Sequence, residues 1–190
     1  MRALFDNLQK LGRALMLPIA VLPIAGLLLR LGQPDLLDVP MVSAAGAAIF
    51  SNLGLLFAAG IGVGLARDNN GAAGLAAIVG YLVTTKGAAT LLEVPPAAVE
   101  DLLGQALAAL TEQSRQLAQT AYVEQQLGKL SVPAGILSGI LAGWLYNRYS
   151  NIRLPDYLAF FGGRRFVPIA SGLCGLIGAA AFGFGWPILE

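Results

Sequence analysis

The chain has 190 residues, of which 56% are hydrophobic and 12% are charged, with a net charge of +1. Soluble domains carry about 25% charged residues, so the composition excludes an ordinary soluble enzyme. The near-zero charge, without any Lys/Arg block, excludes a nucleic-acid-binding protein.

A bilayer core about 30 Å thick needs roughly 20 apolar residues per helix. Five runs meet or approach that need, at residues 14–29, 39–66, 69–85, 130–147 and 166–189. The expected fold is therefore an all-α integral membrane protein of about five transmembrane helices, with amphipathic interfacial helices. The first run starts too late and continues too far for a cleaved signal peptide.

Residues 5–13 form a polar-apolar lead-in at the membrane interface. In the first run, Pro18 and Pro23 each lack a backbone donor and strain the carbonyl four residues back, at Ala14 and Ile19 respectively, so a bent helix is expected there. The second run ends in Gly60, Gly62 and Gly64, and the third opens at Gly71. Arg67-Asp68-Asn69-Asn70-Gly71 joins them as a tight turn. Lys86 near the end of the third run is read as snorkelling to the interface, as are Arg13 and Arg30 around the first.

Residues 93–129 are the most polar stretch. After Pro95-Pro96, Val99, Leu102, Leu103, Ala106, Leu107 and Leu110 follow helical spacing, which predicts an amphipathic helix within a solvated connector. The fourth run holds Gly135, Gly139 and Gly143 at four-residue intervals. They share a helix face and permit close backbone approach, either inside the chain or across a dimer. Next, 154–158 start a short amphipathic helix ended by Gly162-Gly163, and Arg164-Arg165 anchor the entry of the fifth run.

With the N-terminus inside, the inner segments hold Arg2, Lys10, Arg13, Arg67, Arg148, Arg153, Arg164 and Arg165, and the outer ones hold Arg30, Lys86, Arg115 and Lys129. The positive-inside rule therefore predicts a cytoplasmic N-terminus. An odd helix count puts Glu190 on the far side.

The chain contains no His, and its single Cys174 lies in an apolar run where a small buried residue is expected. No carboxylate pair falls within a span, and no P-loop, nucleophile set or metal-spaced cluster occurs. Catalytic residues, metal ligands and cofactors are accordingly not assigned.

Two stretches are similar to a known family. LGRALMLPIAVLPIAGLLLRLGQPDLL at 11–37 and IRLPDYLAFFGGRRFVPI at 152–169 resemble the membrane-embedded EIIC component of the bacterial phosphoenolpyruvate-dependent sugar phosphotransferase system, glucose/N-acetylglucosamine group. FSNLGLLFAAGIGVGLARDNNGAAGLAAIVGYLV at 50–83 fits the same pattern. Arg30 with Gly32-Gln33-Pro34-Asp35-Leu36-Leu37 leans toward the N-acetylglucosamine branch. The resemblance implies a multi-pass permease of the bacterial inner membrane, with sugar carried inward and phosphorylated by a cytoplasmic EIIB domain. Such a permease has about ten helices: an N-terminal scaffold that makes the homodimer and a C-terminal moving half.

Residues 1–190 match the scaffold half and lack the family's later motifs, so the C-terminal transport half is an expected partner. No transport is expected from the chain alone. The resemblance leaves one candidate for substrate binding, Arg13, which would approach the transport half. A stand-alone membrane interaction protein derived from the scaffold is the alternative.

Overall fold

The computed structural model describes residues 2–92 and 112–189. It is all-helical among those residues: α1 Arg2–Ile19, α2 Leu22–Leu31, α3 Pro40–Ser51, α4 Leu53–Leu65, α5 Gly71–Leu91, α6 Glu112–Tyr149 and α7 Phe166–Leu189. Two 3-10 segments, Asp156–Phe161 and Gly163–Arg165, link α6 to α7.

The first expected span is two helices, α1 and α2. Pro23 lies in the first turn of α2, where its missing N–H does no harm. The same missing donor leaves the Ile19 carbonyl without its helical partner, and the chain breaks at the next two residues. Together, residues 8–31 remain long and apolar enough to cross a membrane.

The second expected span is corrected more strongly. It is not one long helix but α3 and α4, bent by 58° at Asn52. Polar side chains produce the break. Ser51 Oγ donates to the Ala47 carbonyl at 2.9 Å, and Asn52 Nδ2 donates to that of Ala48 at 2.8 Å. These bonds satisfy carbonyls that a continuing helix would have served.

The bent pair together is long and apolar enough for one broken span. Gly46 of α3 rests on Ala25 and Leu29 of α2, Gly60 of α4 rests on Pro18 of α1, and Gly64 rests on Ala14. The two broken helices thus run antiparallel along their whole length. Counted as one broken span, the pair raises the number of apolar segments of spanning length among the described residues from four to five.

The third span begins at Gly71, not at Asn69. Asn69 adopts a left-handed φ of 49°, which asparagine tolerates, and the Asn70 side chain caps α5 by accepting from Ala72 N at 2.9 Å. The helix continues to Leu91, so Lys86 lies inside it, on an exposed face.

The fourth span is the end of a 38-residue helix. At about 1.5 Å per residue it measures roughly 57 Å, well beyond the hydrocarbon thickness. Residues 112–129, expected to be connector, are helical, and Gln126 is buried, only 4% exposed. The helix expected at 99–110 lies outside the described residues. The fifth span coincides with α7.

Helix α5 is central, touching α4, α6 and α7. Its packing stripe is made of Ala73, Ala76, Ala77, Gly80 and Ala88. Two buried hydroxyls tie it to α7: Ser171 Oγ donates to the Ala76 carbonyl at 2.7 Å, and Thr84 Oγ1 donates to that of Gly175 at 3.2 Å. The outer surface is apolar, with Met16, Leu137, Leu173 and Ile177 all more than half exposed. That is the inverse of a soluble protein and suits lipid.

Candidate functional site

The helix directions gather one end of the bundle around the 66–70 turn. This end contains the foot of α1, the C-termini of α4 and α6, and the start of α7. Asn147, the last polar residue of the apolar part of α6, organises it. Its Nδ2 donates to the Leu65 carbonyl at 2.8 Å, and its Oδ1 accepts from the Arg67 backbone N–H at 2.9 Å. One side chain therefore serves an end carbonyl of α4 and a donor of the following turn.

Asp68 joins the same turn to two other helices. Its Oδ2 accepts from Tyr146 Oη at 2.9 Å and from the Arg164 guanidinium at 3.2 Å. The salt bridge is well exposed, so its net contribution is small. The Tyr146 side chain is only 3% exposed, and its hydroxyl bond matters more. Tyr146→Phe is expected to cost about 1 kcal/mol and to raise amide exchange at 66–70, as read by hydrogen–deuterium exchange mass spectrometry.

Beside the turn is an open cleft of about 940 Å³ between α1, α4 and α6. Lys10, Arg13 and Arg67 line it with Asn69, Asn147 and Trp144, over an apolar wall. Arg13, the one substrate-binding candidate, is exposed here. A second groove, apolar and about 590 Å³, lies between α6 and α7 and includes Leu137, Cys174 and Phe182. Cys174 is thus half-buried on a groove wall, not fully buried as expected.

Gly135, Gly139 and Gly143 face α4. Gly135 meets Gly54, Gly139 meets Ala58 and Ile61, and Gly143 meets Gly62 and Leu65. At Gly139 an added Cβ would come within 2.7 Å of Ile61 Cβ. The close approach on this face is therefore made within the chain.

Arg30 is not a lone headgroup anchor. It holds Asp35 through two bonds of 2.8 and 2.7 Å across the α2–α3 loop. The guanidinium bond holds the Asp35 carboxyl below the usual carboxylate range. Among the described residues, no three His, Cys, Asp or Glu side chains are placed to share a metal ion.

The sequence reading missed Asn147 and the double use of Asp68. Tyr146-Asn147 at the end of an apolar run was the available signal, since polar residues at that depth require partners. Their partners are 78 to 82 positions away in the chain.

Four to five apolar segments of spanning length define a multi-pass α-helical membrane protein. The profile of the family described as "Phosphotransferase system, EIIC" matches residues 12–190, and the chain belongs to that family. Within it, the chain falls in the glucose/N-acetylglucosamine group.

It is 47% identical over 182 residues to the PTS system N-acetylglucosamine-specific EIICBA component of Escherichia coli (strain K12), covering 96% of this chain and 23% of that protein. It is 43% identical over 187 residues to the glucosamine-specific EIICBA component of Bacillus subtilis (strain 168), covering 98% of this chain and 26% of the relative. With the N-acetylglucosamine-specific EIICB component of the same organism it shares 37% over 183 residues, 96% of this chain and 33% of the relative. The chain thus spans between about a quarter and a third of the length of these relatives.

Proposed function

We propose that residues 1–190 are the scaffold portion of a phosphotransferase-system sugar permease. In this reading they hold a homodimer and support translocation of N-acetylglucosamine, or otherwise glucose, coupled to phosphorylation by an EIIB domain. The observation that carries it is the family match over residues 12–190. Relatives named for N-acetylglucosamine and glucosamine support the choice of sugar. Relatives that are EIICB and EIICBA components support the EIIB partner.

The packing supports a part that holds still. Interfaces lined by Gly and Ala bring backbones together over several turns, and such packed surfaces have no room to slide. The basic end supports a cytoplasmic N-terminus, since Lys10, Arg13, Arg67, Arg148 and Arg164 lie there. Arg13, exposed on the cleft, is free to meet a transport half.

The test is sugar uptake in bacteria lacking their own N-acetylglucosamine and glucose permeases. Expression of residues 1–190 alone is expected to leave uptake at background, and co-expression with the remaining segments of a relative is expected to restore it. Cross-linking in membranes is expected to yield dimers. Uptake by residues 1–190 alone would overturn the scaffold assignment. Failure to complement, with dimers still formed, would favour a stand-alone interaction protein.

A further inference from the structure

The basic cleft is built from three helices and carries three cationic side chains, Lys10, Arg13 and Arg67. No carboxylate among the described residues lines it. None of the three cations forms a salt bridge among the described residues. Asp68, next to Arg67, is engaged by Tyr146 and Arg164. Like charges gathered without a counterion repel one another, and an anion relieves that repulsion.

The depth of the cleft narrows the choice of anion. Trp144 lines it, is 58% exposed, and stacks edge-on against Tyr149. An exposed Trp beside Lys and Arg marks the headgroup level of a bilayer. The apolar wall below, with Leu17 and Ile140, faces the hydrocarbon.

The second groove supplies the other half of the argument. Ile140 and Trp144 line both it and the basic cleft, so the two lie on either side of one α6 ridge. From Cys174 to Gly185 the groove follows α7 for about 16 Å at 1.5 Å per residue. Half of a bilayer core, the reach of one acyl chain, is about 15 Å.

From this geometry we propose that the paired cleft and groove bind an anionic phospholipid, with its phosphodiester among Lys10, Arg13 and Arg67 and an acyl chain along Leu137, Cys174 and Phe182. A lipid phosphodiester here would compete with a transport half for Arg13, and the site does not depend on which sugar is carried.

Trp144 provides the readout. The chain has two tryptophans, so a Trp186→Phe background leaves Trp144 as the only one. The protein as its gene encodes it, with any further tryptophans also replaced by Phe, is reconstituted in phosphatidylcholine vesicles. These contain a small fraction of phosphatidylglycerol or of phosphatidylcholine, brominated at mid-chain. Brominated phosphatidylglycerol is expected to quench Trp144 at a lower mole fraction.

Neutralising each cation is expected to weaken that preference about fivefold, and Lys10→Gln/Arg13→Gln/Arg67→Gln together about a hundredfold. The control Arg148→Gln/Arg153→Gln/Arg165→Gln removes the same charge elsewhere at this end and is expected to retain most of the preference. Equal quenching by the two lipids in the unneutralised protein would overturn the proposal, whatever the variants do. Equal loss in both triple variants would reduce it to general surface charge. Displacement of the brominated lipid by millimolar inorganic phosphate or glucose 6-phosphate would assign the cleft to a soluble phosphate instead.

Discussion

Gly139→Leu is expected to lower stability by about 3 kcal/mol, the upper end of overpacking costs. The reason is direct contact. Any Cβ at this position meets Ile61 Cβ at 2.7 Å and the Ala58 carbonyl at 2.9 Å. The second of these is backbone of α4 and cannot rotate away. A leucine must therefore push α4 and α6 apart, which also disturbs α5, packed against both. Equilibrium unfolding in mixed detergent micelles measures the cost. A midpoint unchanged from that of the parent protein would contradict the assignment of this face to α4. Gly128→Leu serves as the control, because nothing lies within 4 Å of a Cβ there.

The second large effect is expected at Asn147. Asn147→Ala removes both bonds that join α6 to the end of α4, leaving the Leu65 carbonyl and the Arg67 N–H without protein partners. Each buried orphan costs about 1–3 kcal/mol. The site is only part-buried, so water recovers some of this, and a total of about 2 kcal/mol is expected. Hydrogen–deuterium exchange should accelerate first at residues 65–68, before any change in α5. Because Arg67 lines the basic cleft, the same variant should also weaken lipid selectivity at Trp144. Asn147→Asp is expected to keep the acceptor for Arg67 N–H and lose the donor to Leu65, giving an intermediate effect.

Both sites lie at contacts between elements, and this explains how much of the molecule the sequence disclosed. Hydrophobic runs set by bilayer thickness were legible without any structure, because a span must satisfy its own backbone. The fifth run matches α7 end to end. The glycine spacing at 135, 139 and 143 was legible as a packing face, but its partner was not. The breaks were half legible. Pro23 announced the first, while Ser51 and Asn52 did not announce the second, since polar residues in an apolar run have several possible partners.

Elements that look alike in composition behaved differently for reasons of context. Residues 112–129 read as polar linker, yet they continue α6, because the segment is rich in the helix formers Gln, Glu, Leu and Ala and needs little burial, with Leu117 70% exposed. Arg30 and Arg13 both read as interfacial anchors. The loop after α2 turns Asp35 back onto Arg30, whereas no ion pair engages Arg13 among the described residues.

By itself, the sequence determined that this is a helical membrane protein, roughly where its crossings lie, and which family it resembles. Those properties depend on local hydrophobicity and on motif residues read in order. Only the tertiary structure decided that the second crossing is broken at Asn52, that the glycine face meets α4, and that Lys10, Arg13 and Arg67 converge on one cleft. These depend on which helices become neighbours, and side chains far apart in the chain meet only after the helices have chosen their partners.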